Sequence, residues 1–336
     1  MTELPTHISL AHGNGGCRMR ELIDRLFARY LQNPLLDTQV DATRLAWPED
    51  ELIITNDGFT VQPLEYPGGD IGSLAIHGTL NDLAVAGAIP RYLSLTAILE
   101  EGLETALLER IIKSMAATAL KNNVAVVCGD TKVVRRGEGS GLYLATTGIG
   151  TLATTQPLGT EYIQAGDRVL VSGPIGSHGV AVLLAREQFG LSGNVRSDAD
   201  SVLPLTQALL DYSGLRFMRD PTRGGLATVC HDIHQSTGLG IRLQEALLPV
   251  DAAVRSVCDM LGYDPLYLAG EGRVVAVIAA AQASAALEQW QSLAQGQQAA
   301  IIGTVSADNQ QVILETALGG ERLLQQLVDD PLPRIC

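Results

Sequence analysis

The sequence predicts two α+β domains arranged one after the other. Three observations carry that expectation. The chain has 336 residues, enough for two domains of ordinary size. Strand-like and helix-like segments mix in both halves, without the strict alternation of a doubly wound sheet. Between the halves, residues 151–166 (TLATTQPLGTEYIQAG) are rich in Thr, Pro and Gly and have no hydrophobic period. The expected organisation is one domain over 1–150, a second over 151–328 and a short tail over 329–336.

Each element rests on a pattern. Met19, Leu22, Ile23, Leu26, Phe27, Tyr30 and Leu31 repeat at the spacing of a helix with one buried face. Leu52-Ile53-Ile54-Thr55 reads as a strand that stops at Asn56-Asp57-Gly58. Ser73 to Ala86 reads as a helix whose small residues permit close backbone packing. Leu103, Leu107, Leu108, Ile111, Ile112 and Met115 mark a second amphipathic helix. Val124 to Val127 is a buried strand ending at Gly129-Asp130, and Leu142 to Thr147 another. The second half opens with a strand at Arg168–Val171 and a helix at Gly179–Gln188, with His178 as its cap. A loop at Asp220–Gly225 leads into a further helix. Strands are expected at Val274–Ile278, Ile301–Val305 and Val312–Leu314, and short helices near 282–294 and 320–328.

Composition narrows the function. Lys and Arg number 23 against 37 Asp and Glu, a net charge of −14. Nucleic-acid coats and polybasic membrane anchors need cationic surface, so both classes are excluded. Apolar residues make up 46% of the chain, ample for a core. No apolar run approaches the roughly 20 residues that span a bilayer. The start, MTELPTHISL, lacks the features of a signal peptide, so the expectation is a soluble cytoplasmic protein with no membrane partner.

Five cysteines are scattered without a Cys-x-x-Cys pair, which argues against a disulfide framework or a structural zinc site. Cys17, Cys128, Cys230 and Cys258 sit among apolar residues and read as small core residues. Cys336 is different. It ends the stretch Asp-Asp-Pro-Leu-Pro-Arg-Ile-Cys, whose two prolines favour an extended arm. Seven residues in that conformation reach about 20 Å, far enough to bring a thiol from surface to cleft. A thiol on such an arm suits a carrier of a covalent group.

The polar motifs point to phosphate chemistry. His12, Gly13, Gly15 and Gly16 form a glycine-rich loop before a helix, which can either cradle an anion or serve as a structural turn. Asp57 and Asp130 end predicted strands, Asn81-Asp82 lies in a glycine- and alanine-rich helix, and Asp220 begins a glycine-bearing loop. Carboxylates so placed commonly bind Mg²⁺ together with phosphate oxygens. Asp82 stands among apolar neighbours, where a charge is costly unless paired or bound to metal. Lys132 and Arg223 are candidate phosphate clamps. His231 and Glu271 are candidate proton carriers, and the residues alone leave the choice between them open.

Together these pieces resemble the HypE family of hydrogenase-maturation carbamoyl dehydratases. The matching segments are HGNGG, TNDG at 55–58, PGGDIGSLAIHGTLNDLAVAGAIPRYLS at 67–94, ILEEGL at 98–103, GDTKVV at 129–134, RDPTRGG at 219–225, EG at 271–272 and the final PRIC. PRIC is the specific part. The Asp and Gly motifs are shared by the wider superfamily of aminoimidazole ribonucleotide (AIR) synthetase, selenophosphate synthetase and thiamine-monophosphate kinase.

The resemblance implies a two-domain AIR synthetase-like (PurM-like) α+β fold, with N-terminal domains pairing in a homodimer through a shared β-barrel. ATP and Mg²⁺ are the implied cofactors. The carbamoyltransferase HypF and the HypC–HypD iron scaffold are the implied partners. Cys336 would carry an S-carbamoyl group, which ATP-dependent dehydration turns into a thiocyanate. Asp57, Asp82 and Asp220 would hold metal. The His12–Gly16 loop, Asp70, Asn81, Asp130, Thr131, Thr222 and Arg223 would contact the nucleotide. Lys132, Glu271 and His231 would serve catalysis. Asn56 departs from the family's usual Thr or Ser, leaving the neighbouring carboxylate intact. Two rivals stand beside this reading. One is another ATP enzyme of the superfamily, which needs no terminal thiol. The other is a non-catalytic thiol carrier, which needs no nucleotide.

Overall fold

A computed structural model describes residues 5–13, 17–36, 38, 51–186, 194–308, 310–328 and 332. Gly15, Gly16, Cys336 and most of the expected tail lie outside the described residues.

The first helix, α1 (Cys17–Leu22), continues as a π-helical stretch over Ile23–Ala28. Leu22, Leu26, Phe27 and Leu31 are buried, as the spacing predicts. Strand β1 (Leu52–Phe59) runs through Asn56-Asp57-Gly58 instead of stopping there. Those residues pair with Thr147, Thr146 and Ala145, so the partner strand satisfies a backbone whose composition suggests a turn. A two-residue ladder of β2 (Glu65–Tyr66) and β3 (Gly69–Asp70) leads into α2 (Ile71–Val85).

The Asp70 carboxylate accepts from the Gly72 and Ser73 N–H groups at 2.8 and 3.0 Å, and the Asp70 N–H donates to the Ser73 hydroxyl at 3.1 Å. This reciprocal cap commits a side chain expected to serve the nucleotide to starting the helix. Around α2 nearly every residue is buried, which explains why it lacks a polar stripe. Gly72 is required there, because a Cβ would come within 2.5 Å of the Ile111 carbonyl oxygen.

Strand β4 (Ala88–Glu100) was not evident from the sequence. It pairs with β6 (Leu142–Leu152) and, in parallel, with β5 (Ala125–Val134), to which α3 (Thr105–Lys121) connects it. The sheet order is β1-β6-β4-β5. Leu93, Leu95, Ala97 and Leu99 point to the helices, while the alternate residues form a half-buried outer face.

The second sheet has seven strands in the order β13-β12-β9-β11-β7-β10-β8. These are β7 (Arg168–Val171), β8 (Leu215–Arg219), β9 (Gly240–Gln244), β10 (Val275–Ile278), β11 (Ala300–Ser306), β12 (Val312–Glu315) and β13 (Glu321–Leu323). Its helices are α4 (Ser177–Arg186), α5 (Leu203–Gln207), α6 (Gly225–Thr237), α7 (Ala252–Leu261) and α8 (Ala280–Gln291). Neighbouring residues of the central strands feed different cores. Val169, Val171, Val275 and Val277 join Leu226, Cys230 and Ile233 of α6; Leu170, Ala276 and Ile278 join Ala283, Ala286 and Trp290 of α8. The sheet is therefore buried on both faces, as its continuous apolar runs require.

Three local expectations are corrected. Residues 321–323 form a strand instead of a helix, because Glu315 and Glu321 pair across a tight turn containing Gly319 at φ +83°. His178 lies buried within α4, where Nδ1 meets the Ser197 hydroxyl at 2.8 Å, instead of capping that helix. Cys230 and Cys258 are buried as expected, whereas Cys128 is exposed on the outer side of β5. Among the described residues, no helix is long and apolar enough to cross a membrane.

Removing the α2 cap should cost stability. Asp70→Ala is expected to destabilise the fold by about 1 kcal/mol, read as a fall in Tm of a few degrees; an unchanged Tm would refute the capping role.

Candidate active site

Asp57 sits near the end of β1, and the face of α2 bearing Asp82 lies against that strand. The Thr55 hydroxyl donates to Asp82 Oδ2 at 2.9 Å. From the second half of the chain, β8 ends at Arg219 and delivers Asp220, Thr222 and Arg223. The Arg223 guanidinium crosses to Asp57 at 3.1 Å. The loop preceding β10 supplies Glu271. Asp57, Gly58, Phe59, Gly78, Asp82, Asp220, Thr222, Arg223 and Glu271 line one narrow cavity of about 20 Å³. Glycine at 78 keeps that cavity open, because a Cβ would strike the Phe59 ring at 2.9 Å.

The turn after Arg223 is equally constrained. Gly225 has φ +60°, and a Cβ there would lie within 2.7 Å of the carbonyl oxygens of Leu266 and Leu268. The loop can turn into α6 only with a glycine at that position.

Four carboxylates in one pocket disturb one another. Burial raises the Asp57 pKa, with Asp82 adding to the rise and Arg223 opposing it. Asp82 is raised mainly by burial and held back by the Thr55 hydroxyl and by Arg223. Asp220, only 7% exposed, is pushed up to about 7 by burial and then by Asp82. Glu271 is 1% exposed, and its pKa lies well above the usual carboxylate range through burial, Asp220 and Asp198. Its Oε1 has no hydrogen-bond partner. Such groups attract protons or cations. Among the described residues, no three His, Cys, Asp or Glu side chains converge closely enough to form a metal cage by themselves. A hard cation that takes most of its ligands from phosphate and water needs only one or two of these oxygens.

Other expected site residues lie elsewhere. Asn81, expected beside the cofactor, is fully buried and has its amide engaged with backbone. Its Nδ2 donates to the Glu271 and Asp200 carbonyls at 2.9 and 3.1 Å, and its Oδ1 accepts from Val202 N–H at 2.9 Å. Register places Asp57 opposite Thr146, Thr146 opposite Leu95, and Leu95 opposite Gly129. Asp130 and Lys132 therefore lie three strands away, about 14 Å, and on the opposite face of the sheet. There they pair with each other at 2.9 Å. Thr131 points inward and is buried. His12 is buried with Nδ1 3.1 Å from the Ser9 N–H, and Gly13 closes the same short turn.

His231 is not among the residues lining the acidic cavity. Burial lowers its pKa, offset by the backbone of Gln325 and Leu324, which its ring faces. That segment runs close to the acidic loop, since a Cβ on Gly224 would lie 2.9 Å from Leu327 Cδ1. Farther along, Leu332 is 4% exposed and joins an apolar cluster to which both halves of the chain contribute.

Thr55 and Asp198 were not singled out from sequence. Thr55 stands two residues before Asp57, so strand alternation puts both on one face. Asp198, whose Oδ1 accepts from the Glu271 N–H at 3.3 Å, carries no such signal because its partner is distant in the chain.

The profile described as AIR synthase related protein, N-terminal domain, matches residues 39–152, and its C-terminal counterpart matches residues 164–315. Carbamoyl dehydratase HypE of Azotobacter vinelandii is 44% identical over 331 residues, covering 98% of this chain and 97% of that protein. The Escherichia coli K12 protein of the same name is 44% identical over 335 residues, covering 98% and 99%. A crystal structure of HypE in complex with ATP superposes with a TM-score of 0.93 at 42% identity, covering 98% of this chain and 99% of that one. A HypE–HypF complex gives 0.80 at 39% identity, covering 93% and 100%. Thiamine monophosphate kinase of Aquifex aeolicus, at 18% identity and a TM-score of 0.61, shares the fold alone. At this identity over nearly its whole length, the chain belongs to the HypE carbamoyl dehydratase family, on the two-domain AIR synthase related fold.

Proposed function

We propose that the chain dehydrates an S-carbamoyl group on its own Cys336 at the expense of ATP, leaving a thiocyanate whose cyanide goes to hydrogenase iron. The observation that supports this most is the meeting of Asp57 and Asp82 from one domain with Asp220, Thr222, Arg223 and Glu271 from the other. The difficulty of the reaction lies in expelling the carbamoyl oxygen. Transfer of the γ-phosphoryl group to that oxygen, with ADP leaving, makes it a leaving group. Removal of the N–H protons and cleavage of the C–O bond then give the nitrile. Oxygen and two protons depart with phosphate, so thiocarbamate plus ATP becomes thiocyanate, ADP and phosphate.

Asp57, Asp82 and Asp220 fit a magnesium site, since they supply hard oxygens whose mutual repulsion a cation relieves. When bound, Mg²⁺ supplies charge neutralisation for the phosphates. Arg223 adds a guanidinium at the same cavity. Glu271 is the base on this reading, because burial and neighbouring carboxylates make its ionised form more basic than an exposed glutamate. His231 faces the segment that leads to the tail. Leu332 is buried, and the four residues from there to Cys336 span at most about 14 Å.

The wider assembly follows the same reading. HypF would load the thiol and HypC–HypD would receive the cyanide, in the cytoplasm. Two N-terminal domains would pair through the sheet face bearing Ile54, Tyr92, Ile98, Tyr143 and Ile149, turning Asp130 and Lys132 toward the second copy. The division of the chain at residue 151, with a tail from residue 329, belongs to this proposal.

Enzymatically carbamoylated protein given Mg²⁺ and ATP should lose the mass of one water at Cys336. Intact-protein and peptide mass spectrometry would read this, and an unchanged mass rejects the mechanism. Asp82→Asn should slow that loss about a hundredfold or more with the fold retained; normal turnover would show that Asp82 does not hold the metal. A third expectation concerns pH. An acid whose pKa rises on folding stabilises the folded state below its unfolded value, here 3.8, and that contribution fades as pH climbs toward about 7. Without metal or nucleotide, the native protein should therefore lose Tm relative to Asp220→Asn across that window. Parallel curves would count against the burial-driven shift.

A further inference from the structure

We infer that Asn81 is a positioning residue that sets the Glu271 loop against the helix carrying Asp82. The inference rests on the reading of Glu271 and Asp82 given above.

Every polar group of the Asn81 side chain reaches across the domain boundary. One amide donates twice, to the carbonyls of Glu271 and Asp200, while its oxygen accepts from the Val202 N–H. All three partners are backbone groups of the second domain, and Asp82 is the next residue of α2. The residues just before Asp200 are held to the same loop. Asp198 Oδ1 accepts from Glu271 N–H at 3.3 Å, and its carboxylate lies 3.4 Å from Arg273. Gly272 packs so closely on Asp198 that a Cβ would fall 2.0 Å from the carbonyl oxygen. Residues 198–202 thus form a strap between α2 and the Gly270–Gly272 loop.

The consequence is geometric. Glu271 enters the cavity from a short loop between two glycines, and no hydrogen bond fixes its Oε1. Its position against the carboxylates of the first domain is set through its backbone. A single buried side chain ties the carbonyl of Glu271 to the helix that presents Asp82. Displacement by about 1 Å at a reacting group can cost a hundredfold in rate.

The test uses the full-length protein, carbamoylated at Cys336, in single-turnover dehydration at saturating Mg²⁺–ATP. Hydrogen exchange of the uncarbamoylated chain accompanies it. Two variants serve. Asn81→Ala removes all three bonds. Asn81→Asp is nearly isosteric and keeps the acceptor for Val202, but turns an anion toward the Glu271 and Asp200 carbonyls, so it removes the two donated bonds and leaves the third; retained Tm and circular dichroism establish that each variant folds. Both should lower the dehydration rate about tenfold to a hundredfold, with the Kd for Mg²⁺–ATP changed less than about threefold. Amides of residues 270–273 should exchange faster in both variants. Unchanged exchange there would overturn the inference, because Asn81 would then not hold the loop. Faster exchange with an unaltered rate would overturn it too, showing a purely structural tie. Loss of ATP affinity in step with rate would make Asn81 a nucleotide contact instead. The native protein run alongside separates this from failure of the underlying reading: if it loses no water, the assigned activity falls, and the positioning role of Asn81 in that reaction falls with it.

Discussion

Carboxylates that face one another away from water repel, and a cavity lined by four of them exists here because two domains close on it from opposite sides. β1 and α2 carry Asp57 and Asp82; the turn after β8 and the loop before β10 bring Asp220 and Glu271. Burial, and for Asp57, Asp220 and Glu271 also this repulsion, raises their proton affinity. Each of the four binds its proton more tightly than it would in water, chiefly because burial penalises the charge. A pocket in that condition is poised to exchange protons for a cation. Among the described residues a single guanidinium lines the pocket, that of Arg223, and it reaches Asp57 from the other domain.

Close approach of backbone to backbone supports that arrangement. α2 is buried on nearly all sides and meets α3 where Gly72 lets the Ile111 carbonyl come near. Gly225 lies against the carbonyls of Leu266 and Leu268, and Gly272 against that of Asp198. Glycines at these points are conditions of contact, because a methyl group at any of them would push the elements apart. Behind them, a sheet buried on both faces gives the second domain a rigid base from which its two loops project.

Amphipathic segments were the most legible. The first helix and α3 bury the residues whose spacing announced them, and β7 has the limits its apolar run suggested. Less legible were strands whose pairing overrides composition. Asn56-Asp57-Gly58 looks like a turn but is held straight by β6. Residues 88–100 alternate between a helix-covered face and a half-buried one, too mixed to stand out beside the motifs they adjoin. Within the site, Asp57, Asp82, Asp220, Thr222, Arg223 and Glu271 were expected and are found around one cavity. Asp130 and Lys132 were expected with them, yet strand alternation turns them to the far face. Asp70 and Asn81 lie in the same stretch, and hydrogen bonding assigns one to a helix cap and the other to the domain boundary.

Chemical character was written into the chain: acidic residues beside glycines, a thiol after two prolines, motifs shared with carbamoyl dehydratases, and enough aliphatic residues for two cores. These depend on residue type and short-range spacing, which need no knowledge of the fold. Which carboxylates share a pocket, which face of a strand a lysine occupies, and which side chain joins the domains were decided by tertiary structure alone. Asn81 and Glu271 are separated by 190 positions, and only folding brings an amide to within 2.9 Å of that carbonyl. Contacts of that range are set by the packing of whole elements, and no local pattern encodes them.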